Sequence, residues 1–303
     1  MRKDITIQSL TEIEDIQIGY LDKDIVLVDS IQKYVEVSSA HLSMNVIVFC
    51  IKGKIQALMN GQRLDLQEGQ IAIVPPNVTV TDIMISPDFN LKAMFFTNRI
   101  LQSFLREIIS VWNDMMYIHR QYVFTLSDDH IDLYNHFYDM LLLSFSQKFN
   151  NRYHTDIIQS LFQAAILVCC GMLEQNLVSD SKVRHEKTAD YHFKRFLDLL
   201  NASPYKRRSV ASYANELYIS PKHLTAIVKK CSGKTANQWI KERLLEEIRF
   251  YLKQTDFSIK QVSDKLDFPN PSFFGKYVKE HLGMTPGEFR DSLLSHSQIR
   301  ILH

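Results

Sequence analysis

The last third of the chain contains an internal repeat, which is the strongest constraint on its fold. Residues 221–235 read PKHLTAIVKKCSGKT, and residues 271–285, 50 positions later, read PSFFGKYVKEHLGMT. Each copy opens with a small polar residue before proline, a favoured start for a helix. Each copy then reaches a glycine, the commonest residue just beyond a helix end. The repeat therefore predicts two equivalent helices.

A shorter helix is predicted in front of each copy. Apolar residues at helical spacing cover 211–217 and 259–266, and a two-residue turn follows each segment. The turns are Tyr218-Ile219 and Asp267-Phe268. Ser258 and Gln261 form the pattern of a capping box at the start of the second segment. Two helices joined by such a turn are typical of a helix-turn-helix unit, whose second helix enters the major groove of DNA.

A longer amphipathic helix is predicted between the two units, over 238–252. Its apolar residues recur at helical spacing: Trp239, Ile240, Leu244, Leu245, Ile248, Tyr251 and Leu252. A helix over these 15 residues is about 22 Å long, and successive major-groove faces of DNA are about 34 Å apart. We therefore expect this helix to hold two recognition helices one turn of DNA apart.

Further motifs lie around the repeat, within 190–294. They read SVASYANELYISPKHL at 209–224, LDFPNPSFFGKYVK at 266–279 and GMTPGEFR at 283–290, with a glycine at 233. In order and spacing, these motifs resemble the AraC/XylS family of transcription regulators. Tyr218 and Asp267 stand where that family commonly has glycine in its turns, and Asp tolerates the left-handed conformation better than most residues.

The charge distribution favours a polyanion partner for the same part of the chain. Residues 181–303 carry 22 Lys and Arg against 13 Asp and Glu, a net charge of +9, whereas residues 1–180 have a net charge of −8. A basic segment favours nucleic acid because binding releases counterions. With 46% hydrophobic residues the chain has an ordinary folded composition. The sequence shows no export signal or membrane-spanning stretch, so we expect a cytoplasmic protein.

The first part of the chain is patterned as short antiparallel strands. Between about 25 and 96, apolar and polar residues alternate. Turns are indicated at Gly53, Asn60-Gly61, Glu68-Gly69 and Pro75-Pro76. Asn-Gly between alternating runs is typical of a type I′ hairpin turn, which needs positive φ at both central positions. The pattern predicts an antiparallel sandwich or barrel, and it resembles the cupin-like sensor domain of the same family.

Six apolar strand residues are candidates for the interior of this domain: Val46, Val48, Ile71, Ile73, Met94 and Phe96. They either line a ligand pocket or form a filled core, as in most small barrels. The first 118 residues contain a single histidine, His41. Because a cupin metal site needs several His or Glu ligands, we expect no metal and no cofactor.

Three apolar stripes at helical spacing follow the strands. They are Leu101, Phe104, Leu105, Ile108 and Ile109; Leu133, Phe137, Met140 and Leu141; and Ile158, Leu161, Phe162, Ala165 and Ile166. Such faces either cover the sheet or pair with a second subunit. The family resemblance implies a homodimer, with the contact at 98–119 and 155–176.

These patterns together predict an α+β protein of two domains. The expected order is a cupin-like β-barrel or sandwich at 1–97, a helical dimerisation region at 98–178, a linker at 179–188, and an all-helical DNA-binding domain at 189–303 with helix-turn-helix units at 209–233 and 258–283.

The outward faces of the two recognition helices supply the candidate DNA contacts. Residues early in such a helix lie closest to base edges. The predicted base contacts are Lys222, Thr225, Ala226, Ser272, Phe273 and Lys276. Contacts to phosphate set affinity and register without reading sequence. The predicted phosphate contacts are Lys229, Lys230, Lys234 and Lys279. The plainer interpretation is a solvated helix surface.

Double-stranded DNA is thus the expected partner of a regulator that the resemblance makes a homodimer. A small-molecule effector and RNA polymerase are further partners that the resemblance implies. Two alternatives remain: a cupin-type enzyme with an accessory DNA-binding domain, and an effector-independent DNA-binding protein without sequence choice. The enzyme would need a metal-ligand cluster or a nucleophile arrangement, and neither stands out in the sequence.

Overall fold

The computed structural model describes residues 3–5, 16–21, 24–31, 39–104, 109–146, 153–179, 188–202, 209–253 and 256–298. The chain divides into two compact units, Met1–His185 and Glu186–His303. Most of the predicted linker, 180–187, lies outside the described residues, as do Leu105 and Ile108 of the first predicted stripe.

The first unit contains two β-sheets that pack face to face. The sheet orders are β1-β4-β9-β6-β7 and β11-β8-β5-β10-β3-β2. Described neighbours pair antiparallel, except that β1 runs parallel to β4. The strands are β1 Lys3–Ile5, β2 Ile16–Leu21, β3 Ile25–Ile31, β4 Ser39–Leu42, β5 Asn45–Lys52, β6 Lys54–Met59, β7 Gln62–Gln67, β8 Gln70–Val74, β9 Val78–Ile85, β10 Asn90–Phe96 and β11 Val123–Thr125. The predicted antiparallel β architecture is confirmed as a sandwich, with β7 and β11 at open edges.

Left-handed residues close the turns that the sequence predicts. Asn60 and Gly61 both have positive φ, 48° and 81°, as a type I′ turn requires. Gly53 has φ 75°, and a Cβ there would lie 2.9 Å from the Phe89 Cα. Glycine is therefore needed at Gly53 both for its conformation and for the close approach of the chain.

The sheet that contains β5 is buried on both faces, and this corrects the expectation of one common interior. Val46 pairs with Val74 and packs in a cluster between the two sheets. Ile73 pairs with Ile47, one position along, so its side chain points to the opposite face. Met94 also pairs with Ile47. Ile71, Ile73, Met94 and Phe96 therefore lie on the face away from the other sheet.

Helices cover that second face. The Phe96 ring contacts Trp112 and Phe162, with centroids 6.1 Å and 5.3 Å away. The Phe49 ring of β5 likewise contacts the Tyr134 ring, with a centroid distance of 5.3 Å. The helices are α1 Asn98–Phe104, α2 Ile109–Asn113 continued by a π-helical turn Asp114–His119, α3 Asp128–Ser146 and α4 His154–Ser179.

The buried stripe of α3 differs from the predicted one. Tyr134, Tyr138, Leu141 and Phe145 are buried, whereas Leu133 and Met140 are 39% and 49% exposed. The predicted stripe included Leu141 correctly but omitted the tyrosines, although Tyr138 buries its ring and donates its hydroxyl hydrogen to the Val28 carbonyl. On α4 the predicted Ile158, Phe162, Ala165 and Ile166 are buried.

Among its described residues, the second unit contains helices joined by short turns and no strand. Its helices are α5 Thr188–Asn201, α6 Val210–Glu216, α7 Pro221–Ser232, α8 Ala236–Lys253, α9 Ile259–Lys265, α10 Pro271–Leu282 and α11 Pro286–Gln298. Phe193 and Phe196 of α5 make ring contacts to Trp239 and Tyr213, which fixes α5 against α8 and α6. The described helices include none long and apolar enough to cross a membrane.

Candidate nucleic-acid interface

The first helix-turn-helix unit is α6, a tight turn and α7. Ser209 and Ser220 cap the two helices by accepting from the amides of Ser212 and His223. Tyr218 adopts φ 56° in the turn, the left-handed conformation expected there. The Ile219 amide then donates to the Ala214 carbonyl at 3.0 Å, which closes the turn.

The second helix-turn-helix unit, α9 and α10, repeats this geometry. Ser258 and Gln261 form the predicted capping box, and the Asn270 side chain caps α10. Asp267 adopts φ 54°, and the Phe268 amide donates to the Ser263 carbonyl at 3.1 Å. The two turns thus share their backbone hydrogen bonds although their residues differ.

The same positions form the core of both units. Leu224 and Val228 of α7 are fully buried, as are Phe274 and Val278 of α10, 50 positions later. Ala214 is also fully buried, and its small side chain allows α6 to lie close to its neighbours. The long helix α8 packs against the helices of both helix-turn-helix units. It therefore connects these two units within one compact body.

Burial of those positions leaves the opposite faces of α7 and α10 exposed. Lys222, Ala226, Ser272, Phe273 and Lys276 are exposed, and Thr225 is half-buried. Phe273 is 54% exposed while its neighbour Phe274 is buried in the core. The predicted base contacts therefore lie on accessible helix surface.

The predicted phosphate contacts divide into two groups. Lys229 and Lys230 in the last turn of α7 and Lys279 in the last turn of α10 are exposed. Lys234 is 6% exposed, and its Nζ lies 2.7 Å from Glu242 Oε2 and 5.2 Å from the Trp239 ring centroid. The prediction for Lys234 is wrong, because the left-handed Gly233 turns the chain back onto α8, where this ammonium is paired.

Sequence reasoning missed an exposed lysine of the second helix-turn-helix unit. Lys260 occupies the second position of α9 and is exposed. The first helix of such a unit crosses the DNA backbone, so a lysine in its first turn is placed to meet phosphate. Its position two residues after the capping Ser258 was the signal that could have identified it.

The long helix α8 carries buried charged residues that interact within the helix. Arg243 Nη1 lies 2.5 Å from Glu247 Oε1, and the Glu247 side chain is fully buried. Burial raises the pKa of Glu246 to about 8, although Arg243 and Arg249 oppose the shift.

Among the described residues, no group of three or more His, Cys, Asp or Glu could hold a metal ion.

Comparison with known proteins matches this region to one type of domain. Residues 213–292 match a helix-turn-helix domain family. The regulatory protein PocR of Salmonella typhimurium is 26% identical over 103 residues, 34% of this chain and 33% of PocR. The xylose operon regulatory protein of Haemophilus influenzae is 32% identical over 84 residues, 28% of this chain and 22% of that protein.

A longer match involves the HTH-type transcriptional regulator YijO of Escherichia coli, 28% identical over 142 residues, 46% of this chain and 47% of YijO. The chain therefore matches less than half the length of each of these relatives. Among solved structures, apo ToxT from Vibrio cholerae covers 89% of this chain and 97% of its own, with 11% identity and a TM-score of 0.36. A score this low does not establish a common fold over the whole chain.

Proposed function

Because its second unit contains a helix-turn-helix domain of the AraC/XylS type, we propose that this chain is a sequence-specific regulator of transcription that binds double-stranded DNA. Two recognition helices, α7 and α10, enter successive major grooves. The observation that carries the proposal is the duplicated unit with matching caps, turns and buried positions, each copy leaving one face of its second helix exposed.

The exposed side chains suggest a division of roles along each recognition helix. Lys222 and Lys276 can donate to guanine O6 and N7. The hydroxyl groups of Thr225 and Ser272 can form hydrogen bonds with several different bases. Ala226 and Phe273 offer apolar contact to the thymine methyl group. Lys229, Lys230 and Lys279 meet phosphates together with Lys260, which supplies affinity without sequence preference.

Selection of preferred sites from random duplex DNA tests this function. We expect a site with two conserved segments centred about 10–10.5 base pairs apart, one for each recognition helix. Binding with no enriched sequence would instead show a DNA-binding protein without sequence choice. Failure to retain any duplex at low salt would refute the proposal.

A second copy of the chain is the partner proposed for α4. Along one face of this helix, Ile157 and Leu167 are exposed apolar residues, 39% and 43% accessible. Ala164 and Gly171 fall on the same face, and a Cβ at Gly171 would meet nothing within 4 Å. Small residues between apolar ones let a second helix approach closely. In contrast, Trp112, Met115 and Met116 of the predicted contact at 98–119 are buried within their own unit.

Sedimentation equilibrium of the full chain tests this contact. Leu167→Glu should shift a dimer toward monomer, because the introduced charge would be buried between the two helices. Tyr153→Glu, at an exposed position just before α4, is the matched control and should leave the mass unchanged. A monomeric wild-type protein at micromolar concentration would contradict the dimer.

Regulation through the first unit completes the proposal. An effector or a partner such as RNA polymerase acts by binding one arrangement of the dimer better than another, since a ligand shifts an equilibrium only by its differential affinity. DNA affinity measured across a panel of small molecules tests this part, and constitutive activity with no response to any of them would count against it.

A further inference from the structure

The first turns of the two recognition helices, α7 and α10, have the same geometry. Each begins with a capping side chain, a proline and two exposed residues. The capping side chain accepts from the amide of the third helical residue, His223 in α7 and Phe273 in α10, at 3.2 Å and 2.8 Å. The next residue, Leu224 or Phe274, is fully buried. Equal caps and equal buried neighbours therefore place His223 and Phe273 at equivalent points of the two helices.

Both of these equivalent residues have accessible side chains. Phe273 is 54% exposed, and His223 is exposed as well. The core contact at this end of α10 comes instead from the neighbouring Phe274. The exposed ring of Phe273 therefore has apolar surface that a bound partner can bury.

His223 lies nearer the middle of the exposed face of α7 than Thr225 does. Successive side chains are about 100° apart around a helix. The exposed face is centred near Ala226. By this spacing His223 lies about 60° from Ala226, whereas the half-buried Thr225 lies about 100° from it. His223 also belongs to the first turn, the part of a recognition helix that lies closest to base edges. The face that contains the predicted base contacts therefore includes His223.

The two equivalent side chains differ in the bases they can recognise. A ring N–H of histidine donates a hydrogen bond, and guanine presents two acceptors, O6 and N7, in the major groove. Adenine presents a donor beside its acceptor, so it offers this N–H a poorer edge. A phenylalanine ring has no donor and suits apolar contact with the thymine methyl group. The same place in the two helix-turn-helix units therefore favours different bases.

From these features we infer that His223 is a specificity-determining residue of the first helix-turn-helix unit, where its ring N–H donates to guanine. Phe273 contacts a thymine methyl group at the equivalent place of the second helix-turn-helix unit. This difference makes the two DNA segments unequal, so one orientation of the chain on its site is favoured. The inference rests on the proposed function and deepens it, because it names a residue pair that distinguishes the two segments.

Exchanging the two residues tests the inference. His223→Phe should convert a guanine preference at one base pair into a thymine preference, and Phe273→His should do the reverse in the other segment. Fluorescence anisotropy on the selected duplex and on its single-base-pair substitutions measures both changes. We expect the guanine preference to be about fivefold, from one net hydrogen bond. The thymine preference should be about fourfold, from one buried methyl group.

The substitution His136→Phe is the matched control. His136 is exposed on α3 in the N-terminal unit, Met1–His185. The same exchange of side chains there should leave every base preference unchanged. Since His223 and Phe273 are also exposed, neither exchange removes a residue of the helical core.

Two results would overturn the inference: unaltered base preferences in His223→Phe, or a loss of affinity by this variant that is equal on all duplexes. The second result would make His223 a phosphate contact. The proposed function is decided separately, by site selection with the wild-type protein. If the wild type selects a two-segment site and the exchanged variants keep its base preferences, this inference fails while the proposed function stands. If the wild type selects no sequence, both fail.

Discussion

Replacing Lys229 with alanine should weaken DNA binding equally on every sequence and lower its dependence on salt. The Lys229 side chain is exposed in the last turn of α7, while its backbone carbonyl accepts the Gly233 amide that ends the helix. Because this cap uses the backbone, the substitution leaves the helix end in place. The variant therefore tests the charge rather than the fold.

The magnitude follows from counterion release. Each phosphate contact contributes about 0.9 to the slope of log affinity against log salt concentration. Between ~50 and ~200 mM salt, the advantage of wild type over Lys229→Ala should thus shrink by about 3.5-fold. Fluorescence anisotropy at several salt concentrations, on the selected site and on a scrambled duplex, measures both quantities.

Lys54→Ala is the matched control, because it removes an exposed lysine from the first unit and should leave the slope unchanged. The reasoning would be refuted if Lys229→Ala bound with the wild-type slope. It would also be refuted if the variant lost affinity on the selected site alone, since that would make Lys229 a base contact.

Lys276→Ala should relax preference at one base pair of the site, with a loss of about 1–3 kcal/mol there; repeated site selection would show it, and an unchanged logo would argue against the assigned face of α10. Gly61→Ala should lower the free energy of unfolding by roughly 1–2 kcal/mol, because φ is positive but the space is open. Gly53→Ala should lower it further, because its Cβ would lie 2.9 Å from the Phe89 Cα; equal losses in urea unfolding would contradict the steric part. Glu246→Gln should raise Tm more at pH 8.5 than at pH 6: the raised pKa of about 8 means that stability falls as pH rises from 4.5 toward 8, and glutamine does not ionise. A pH-independent difference in Tm would show that Glu246 does not titrate in this range.

Signals close in sequence made the helices of the C-terminal unit, Glu186–His303, predictable. Proline after a polar cap, glycine at the helix end and a two-residue turn act within a few residues, so each helix boundary could be inferred without knowing its neighbours. The left-handed turns at Tyr218 and Asp267 show the same principle, since backbone hydrogen bonds to Ala214 and Ser263 impose the conformation on non-glycine residues.

Features that depend on distant partners were not predictable in this way. Lys234 reads as another lysine of a basic segment, and its burial follows from Glu242 and Trp239 on the next helix. The faces of Val46 and Ile73 depend on the register between β5 and β8, which a single strand does not encode.

The paired reading of DNA by α7 and α10 is tested most directly by changing the spacing within the selected site. Inserting five base pairs between its two segments rotates them by about half a turn of the duplex. Because α8 connects the two helix-turn-helix units within one compact body, we expect only one of them to bind at a time after this insertion. The affinity for the lengthened site should then fall to the affinity for DNA that contains a single segment. Undiminished affinity for the lengthened site would contradict simultaneous insertion of the two helices.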